Sequence, residues 1–365
     1  MPRRWLAGWL GVVGLAWGWA GPPAWAGLYV SLEPLPIAVD PAGKAQPLPF
    51  GQLQFTLAEL AAVGKPPLPG MAPTPERKAY LAARDRLLGG NTFTSRLTPE
   101  QTADLGAILI RLREYDPAIT ILRRATQQER PTFQSYTALA VLHLLRGEAH
   151  EALRVQQPAL DIFPEQLPGA TAAQTAWYRQ LERTYFKRLI VLRARERDPV
   201  SGKSPLPESV DDLFGVRFVD EAGQYRPGQL AAAERQKLPA DALAIVQQLV
   251  LWLPDDSRLY WLLGEVYAAQ GDPASLQAAG KILDQCVDSR QFHPKELGEH
   301  RRVVRELLAQ QRLPDDSVDP TPPTPAPSGQ LLTWDARTIS VIVGVGLVAV
   351  GLVALQVRQL VKRRR

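Results

Sequence analysis

Three aspartate pairs are the side chains most open to a chemical reading: Asp211-Asp212, Asp255-Asp256 and Asp315-Asp316. Two carboxylates can divide acid and base work only when both face one reacting atom, and neighbours in sequence point in different directions. Each pair stands just before an expected helix or in a linker, so its oxygens suit exposed helix amides better than proton transfer. The last two pairs sit in a repeated pentapeptide, LPDDS, at Leu253–Ser257 and Leu313–Ser317. The first copy runs into RLYWLLGEVYAAQGDP and is expected to close one helix with Pro254 and cap the next. The second runs into VDPTPPTPAPSG, with no helix to follow.

Other reactive residues are placed no better. Gly202-Lys203-Ser204 resembles the end of a phosphate-binding loop, but that loop needs a glycine where Arg197 stands. The four histidines (143, 150, 293 and 300) have no metal-ligand spacing. The single cysteine, Cys286, excludes an internal disulfide, and no G-x-S-x-G elbow is present. The sequence therefore assigns no catalytic, cofactor-binding or metal-ligating residue, and it implies neither an enzyme nor a small-molecule substrate.

The two ends account for the charge. Residues 1–26 hold Arg3 and Arg4, an apolar run and Ala24-Trp25-Ala26, the pattern of a secretory signal peptide. Residues 339–357, ISVIVGVGLVAVGLVALQV, are long enough for a transmembrane helix, at about 1.5 Å per residue or roughly 28 Å. The basic tail at 358–365 places that end in the cytoplasm and the body outside it, a single-pass topology. Of the net charge of +5, Arg3 and Arg4 carry two and the tail carries five, which leaves −2 for residues 27–337. A nucleic-acid partner is therefore not implied.

Between the ends a period of 34 residues emerges. Pro99–Thr132 aligned over Phe133–Gln166 sets Leu105-Gly106 over Leu139-Ala140, Ala118 over Ala152 and Ala125 over Ala159. Ser257 opens another unit with Tyr260, Leu263, Gly264, Tyr267 and Gly271 in register, and a partial unit starts at Gly223. Small residues recur where two helices of a hairpin would cross, because larger ones would hold them apart.

These residues resemble the tetratricopeptide repeat. The resemblance implies an all-α superhelix, or solenoid, in which the first helix of each unit lines a concave groove for an extended peptide or protein partner. Carried onto this chain, groove positions fall on Ile110 and Arg111, on Gln134 and Thr137, and on Arg258, Trp261 and Glu265, with Trp261 the natural anchor.

The expected organisation follows. A signal peptide (1–26) leads into a proline-rich, extended arm (27–75) and a helical region (76–197) that holds the units at 99 and 133 and ends in one long helix. An insertion (198–229) carries a candidate β-hairpin, Val216–Val219 against Gln224–Arg226. A second helical region (230–312) ends in a capping helix, followed by a proline-rich linker (313–338), the span and the tail. The expected function is a membrane-anchored extracytoplasmic scaffold for protein–protein interaction in a cell envelope. The alternatives are an accessory module of an envelope enzyme and a structural spacer that self-associates.

Overall fold

The computed structural model describes residues 28–29, 33–89, 97–196 and 213–312. The signal peptide, the linker, the apolar stretch at 339–357, the tail, Gly202-Lys203-Ser204 and the aspartate pairs at 211 and 315 lie outside them. Among the described residues no helix is long and apolar enough to cross a membrane.

The regular structure of the described residues is almost wholly α-helical. Two short strands, β1 (Ala38–Val39) and β2 (Ala45–Gln46), pair antiparallel and precede α1 (Phe50–Gly64) and α2 (Pro75–Leu88). Next come α3 (Pro99–Arg111), α4 (Tyr115–Thr126), α5 (Phe133–Leu145) and α6 (Ala149–Asp161). Then α7 (Ala172–Gln180) passes through a π-helical segment, Leu181–Phe186, into α8 (Lys187–Glu196). The remainder is α9 (Ala232–Arg235), α10 (Ala242–Trp252), α11 (Ser257–Gln270), α12 (Pro273–Asp288) and α13 (Lys295–Arg312).

Local sequence explains where these helices start. Thr98 and Gln101 form a reciprocal capping box ahead of Pro99, each side chain holding the other's backbone amide, at 3.2 and 3.0 Å. Asp256 accepts from the amides of Arg258 and Leu259 at 3.0 and 3.1 Å, so the first LPDDS copy caps α11.

Three helix pairs, α3–α4, α5–α6 and α11–α12, pack against each other across short turns. At each turn one residue takes a left-handed backbone, namely Arg113, Gly147 and Gly271, with φ of 62°, 77° and 76°. These three occupy the same place in the 34-residue pattern. At the crossings, a Cβ on Gly106 would come within 2.4 Å of Leu122, and one on Gly264 within 2.7 Å of Leu283. The pairs stack through α3 on α5, α4 on α5 and α10 on α11, and α13 covers α12. Their inner faces form one core that runs from Leu28 to Val304 and includes Trp252, Phe186 and Tyr178. Each large apolar side chain buried there contributes about 1.5–3 kcal/mol.

Two expectations are corrected. The segment 27–75 is not an extended arm throughout, because α1 occupies fifteen of its residues. Glu59 is the only charged residue of α1, so no polar stripe marked it as a helix. Val216–Val219 and Gln224–Arg226 form no strands; Asp220 instead turns the chain, its carboxylate holding the amides of Ala222 and Gln224 at 2.9 Å each. As the partial unit at Gly223 implies, its first helix is short: α9 is four residues long.

Candidate functional site

The seven groove positions fall on α3, α5 and α11, and the fold covers most of them with its own chain. Ile110, Arg111, Thr137, Trp261 and Glu265 are buried, while Gln134 and Arg258 are partly exposed.

Arg111 shows what covers these positions. Its guanidinium meets the Glu33 carboxylate through Nε and Nη2, both at 2.9 Å, and Nη1 donates to the Leu251 carbonyl at 3.0 Å. Tyr80 donates to the same carboxylate at 2.8 Å. Burial alone would raise the Glu33 pKa, but the charge and hydrogen bonds of Arg111, with those of Tyr80 and the Leu28 amide, hold it below the usual carboxylate range.

Beyond Glu33 the chain runs through Leu48 against α7 and α10, and side chains of those helices hold its backbone. Gln174 Nε2 donates to the Ile37 carbonyl at 2.8 Å, and the Ile37 amide donates to Tyr178 Oη at 3.4 Å. Tyr178 is itself oriented by donating to Gln248 Oε1 at 2.8 Å. Gln247 pairs with both backbone groups of Leu48, accepting from its amide at 2.7 Å and donating to its carbonyl at 3.0 Å. Ile37 and Leu48 are buried, whereas the turn between the strands, Pro41–Gly43, is exposed.

Trp261 is not a free anchor. It is fully buried on α11, edge-on to Phe292, and its indole donates to Glu265 Oε1 at 2.7 Å. The same oxygen lies 2.8 Å from His300 Nδ1 on α13, and Tyr225 stacks on that imidazole at 3.6 Å. Burial opposes charging of His300, but Glu265, Glu296 and Glu299 outweigh it and raise the pKa. Thus α13 and the turn region after 213 close this end of the face.

The two partly exposed positions border separate cavities. Gln134 lines one of about 480 Å³ with Tyr29, Glu33, Leu35, Glu100 and Asp104. Arg258 lines one of about 310 Å³ with Arg193 and Asp256, and burial followed by the Arg193 charge pushes its guanidinium down to about 9. The seven residues are therefore spread over three places rather than gathered into one site.

Elsewhere the chemistry is quiet. Cys286 is buried at a helix crossing, and burial pushes its thiol up to about 12, which leaves it protonated and unreactive. Among the described residues no group of His, Cys, Asp and Glu is arranged to hold a metal.

Sequence reasoning passed over Gln174, Tyr178 and Gln247. One signal was present: Gln247-Gln248 interrupts an otherwise apolar α10, ALAIVQQLVLW, and buried amides need partners.

The fold and this face define a helical-hairpin protein whose inner surface holds an extended segment of its own chain. No family model, curated protein or solved structure matches the chain.

Proposed function

We propose that this chain is a membrane-anchored, extracytoplasmic scaffold of the tetratricopeptide-repeat type that docks a protein or peptide partner in the cell envelope. The observation that carries the reading is the recurrence of one hairpin. Gly106 and Gly264 sit at equivalent crossings, and Arg113, Gly147 and Gly271 at equivalent turns. Such hairpins stack into a solenoid whose first helices share one face, and that face is a binding surface rather than a reaction chamber. The signal-like leader, the proline-rich linker and the apolar stretch at 339–357 support the placement and topology.

Affinity capture with the tagged full-length protein from detergent-solubilised envelopes tests the proposal. A stoichiometric partner is expected, and Arg258→Ala or Gln134→Ala, at the partly exposed face positions, should weaken its recovery. Recovery of the bait alone, or of further copies of it alone, would overturn the docking reading.

A further inference from the structure

The segment Glu33–Leu48 is held in an unusual manner for a piece of core. Among the described residues its two strands pair only with each other and join no larger sheet. Its fixed points are instead side chains reaching from three separate helices to its main chain and to one carboxylate. Arg111 of α3 grips Glu33, Gln174 and Tyr178 of α7 bracket Ile37, and Gln247 of α10 takes both backbone groups of Leu48. An amide pairing with both backbone groups of one residue reads backbone, which every extended segment presents, while the pockets for Ile37 and Leu48 and the buried guanidinium read side chains. Proline at 34, 36, 41, 47 and 49 pre-sets an extended backbone and lowers the entropy lost on ordering it.

We propose that the track formed by Arg111, Gln174, Tyr178 and Gln247 is a binding site for an extended, proline-containing segment of a partner protein. That segment bears a carboxylate four residues ahead of a branched aliphatic residue, and Glu33–Leu48 fills the site in cis. This rests on the docking reading and names both the ligand chemistry and the regulation: the arm is the competitor a partner must displace. The carboxylate is required because the Arg111 guanidinium, only 4% exposed, is held through two of its nitrogens by Glu33. The aliphatic follows from Ile37, which is wholly buried.

The experiment uses the purified full-length protein and a fluorescein-labelled synthetic peptide of residues 33–40, the part of the arm that cleavage sets free. In the intact protein the covalently attached arm is expected to keep labelled peptide out. A protease recognition sequence inserted at the exposed Pro41–Gly43 turn frees the front half of the arm on cleavage, without touching a buried residue. The cut protein is expected to exchange its fragment for the labelled peptide. Uptake should fall at least ten-fold for a peptide with Glu33→Lys, and likewise in cut protein carrying Gln174→Ala, which removes the donor to the Ile37 carbonyl.

A second variant, full-length Glu33→Lys, is expected to take up the wild-type peptide without cleavage; if it does not fold, the cut protein decides alone. Failure of the cut protein to take up peptide while its helical circular dichroism persists would make the arm a permanent layer of the core and overturn the proposal. So would fragment release only on unfolding. Dimers of the cut protein that dissociate in excess peptide would assign the track to a second copy's arm and overturn the partner-segment assignment. Peptide exchange without a captured partner would sink the docking function and leave the track standing; a captured partner without exchange would do the reverse.

Discussion

Glu33 and Arg111, 78 residues apart in the chain, form a bidentate ion pair at 2.9 Å with side-chain exposures of only 0% and 4%. Two buried charges that share their hydrogen bonds this fully are strongly coupled, because removing either leaves the other desolvated and uncompensated.

Glu33→Leu and Arg111→Met are therefore each expected to destabilise the protein by about 3–5 kcal/mol, and the double variant Glu33→Leu/Arg111→Met by clearly less than the two losses added. Urea denaturation of the four proteins measures this. Additive losses would show that the two residues are not coupled. Because the folded pKa of Glu33 is lowered, its contribution is present above 4.5, the ordinary carboxyl value, and is lost as pH falls through the folded pKa.

Glu182 is expected to act in the opposite direction. It lies fully buried in the π-helical segment, where Gln156 Nε2 donates to one of its oxygens at 2.7 Å. Burial, the dominant cause, pushes its carboxyl from 4.5 up to about 7. Between those values the folded protein holds a proton that the unfolded chain has released, so stability falls as pH rises, by about 3 kcal/mol over the window. His300, also raised, adds loss in the same direction as pH climbs through its folded pKa. Glu182→Gln should flatten the Glu182 share of a stability profile between pH 4.5 and 7. An unchanged slope in that variant would contradict the assignment.

The crossing glycines separate a steric role from a conformational one. A Cβ at position 106 would meet Leu122 side-chain atoms at 2.4 and 2.5 Å, and one at position 264 would meet Leu283 at 2.7 Å. Gly106→Ala and Gly264→Ala are each expected to cost about 1–3 kcal/mol through overpacking. On α13, a Cβ at Gly298 would meet nothing within 4 Å, so Gly298→Ala is expected to stabilise by about 0.5–1 kcal/mol. Thermal denaturation of the three variants should give opposite signs.

The aspartates of the first LPDDS copy should also behave differently from each other. Asp256 caps α11 and forms an ion pair with the little-exposed Arg193 at 2.9 Å. Asp256→Ala is expected to cost about 1–2 kcal/mol from the cap alone. Asp255 pairs with Arg113 at 2.8 Å, but side-chain exposures of 49% and 44% leave that pair screened. Asp255→Ala should shift stability by less than about 1 kcal/mol. Equal effects in a thermal melt would refute the distinction.

The sequence by itself determined the helical class and the places where helices meet. Gly106, Gly264, Ala140 and Ala152 are local requirements for closeness, and Thr98 and Asp256 are local cap signals, so each could be read without knowing the fold. The same reading took Ile110, Arg111, Thr137, Trp261 and Glu265 for an accessible face. Only the tertiary structure decided what covers them, because the occupants come from far away in the chain. Glu33 reaches Arg111 from 78 residues before it, and His300 reaches Glu265 from 35 residues beyond. Long-range pairing of this kind leaves no periodic trace: it depends on buried polar groups finding partners wherever the stacked hairpins bring them. A lone glutamine pair in α10 was its only mark, and that pair holds the backbone of Leu48 and orients Tyr178 beside Ile37.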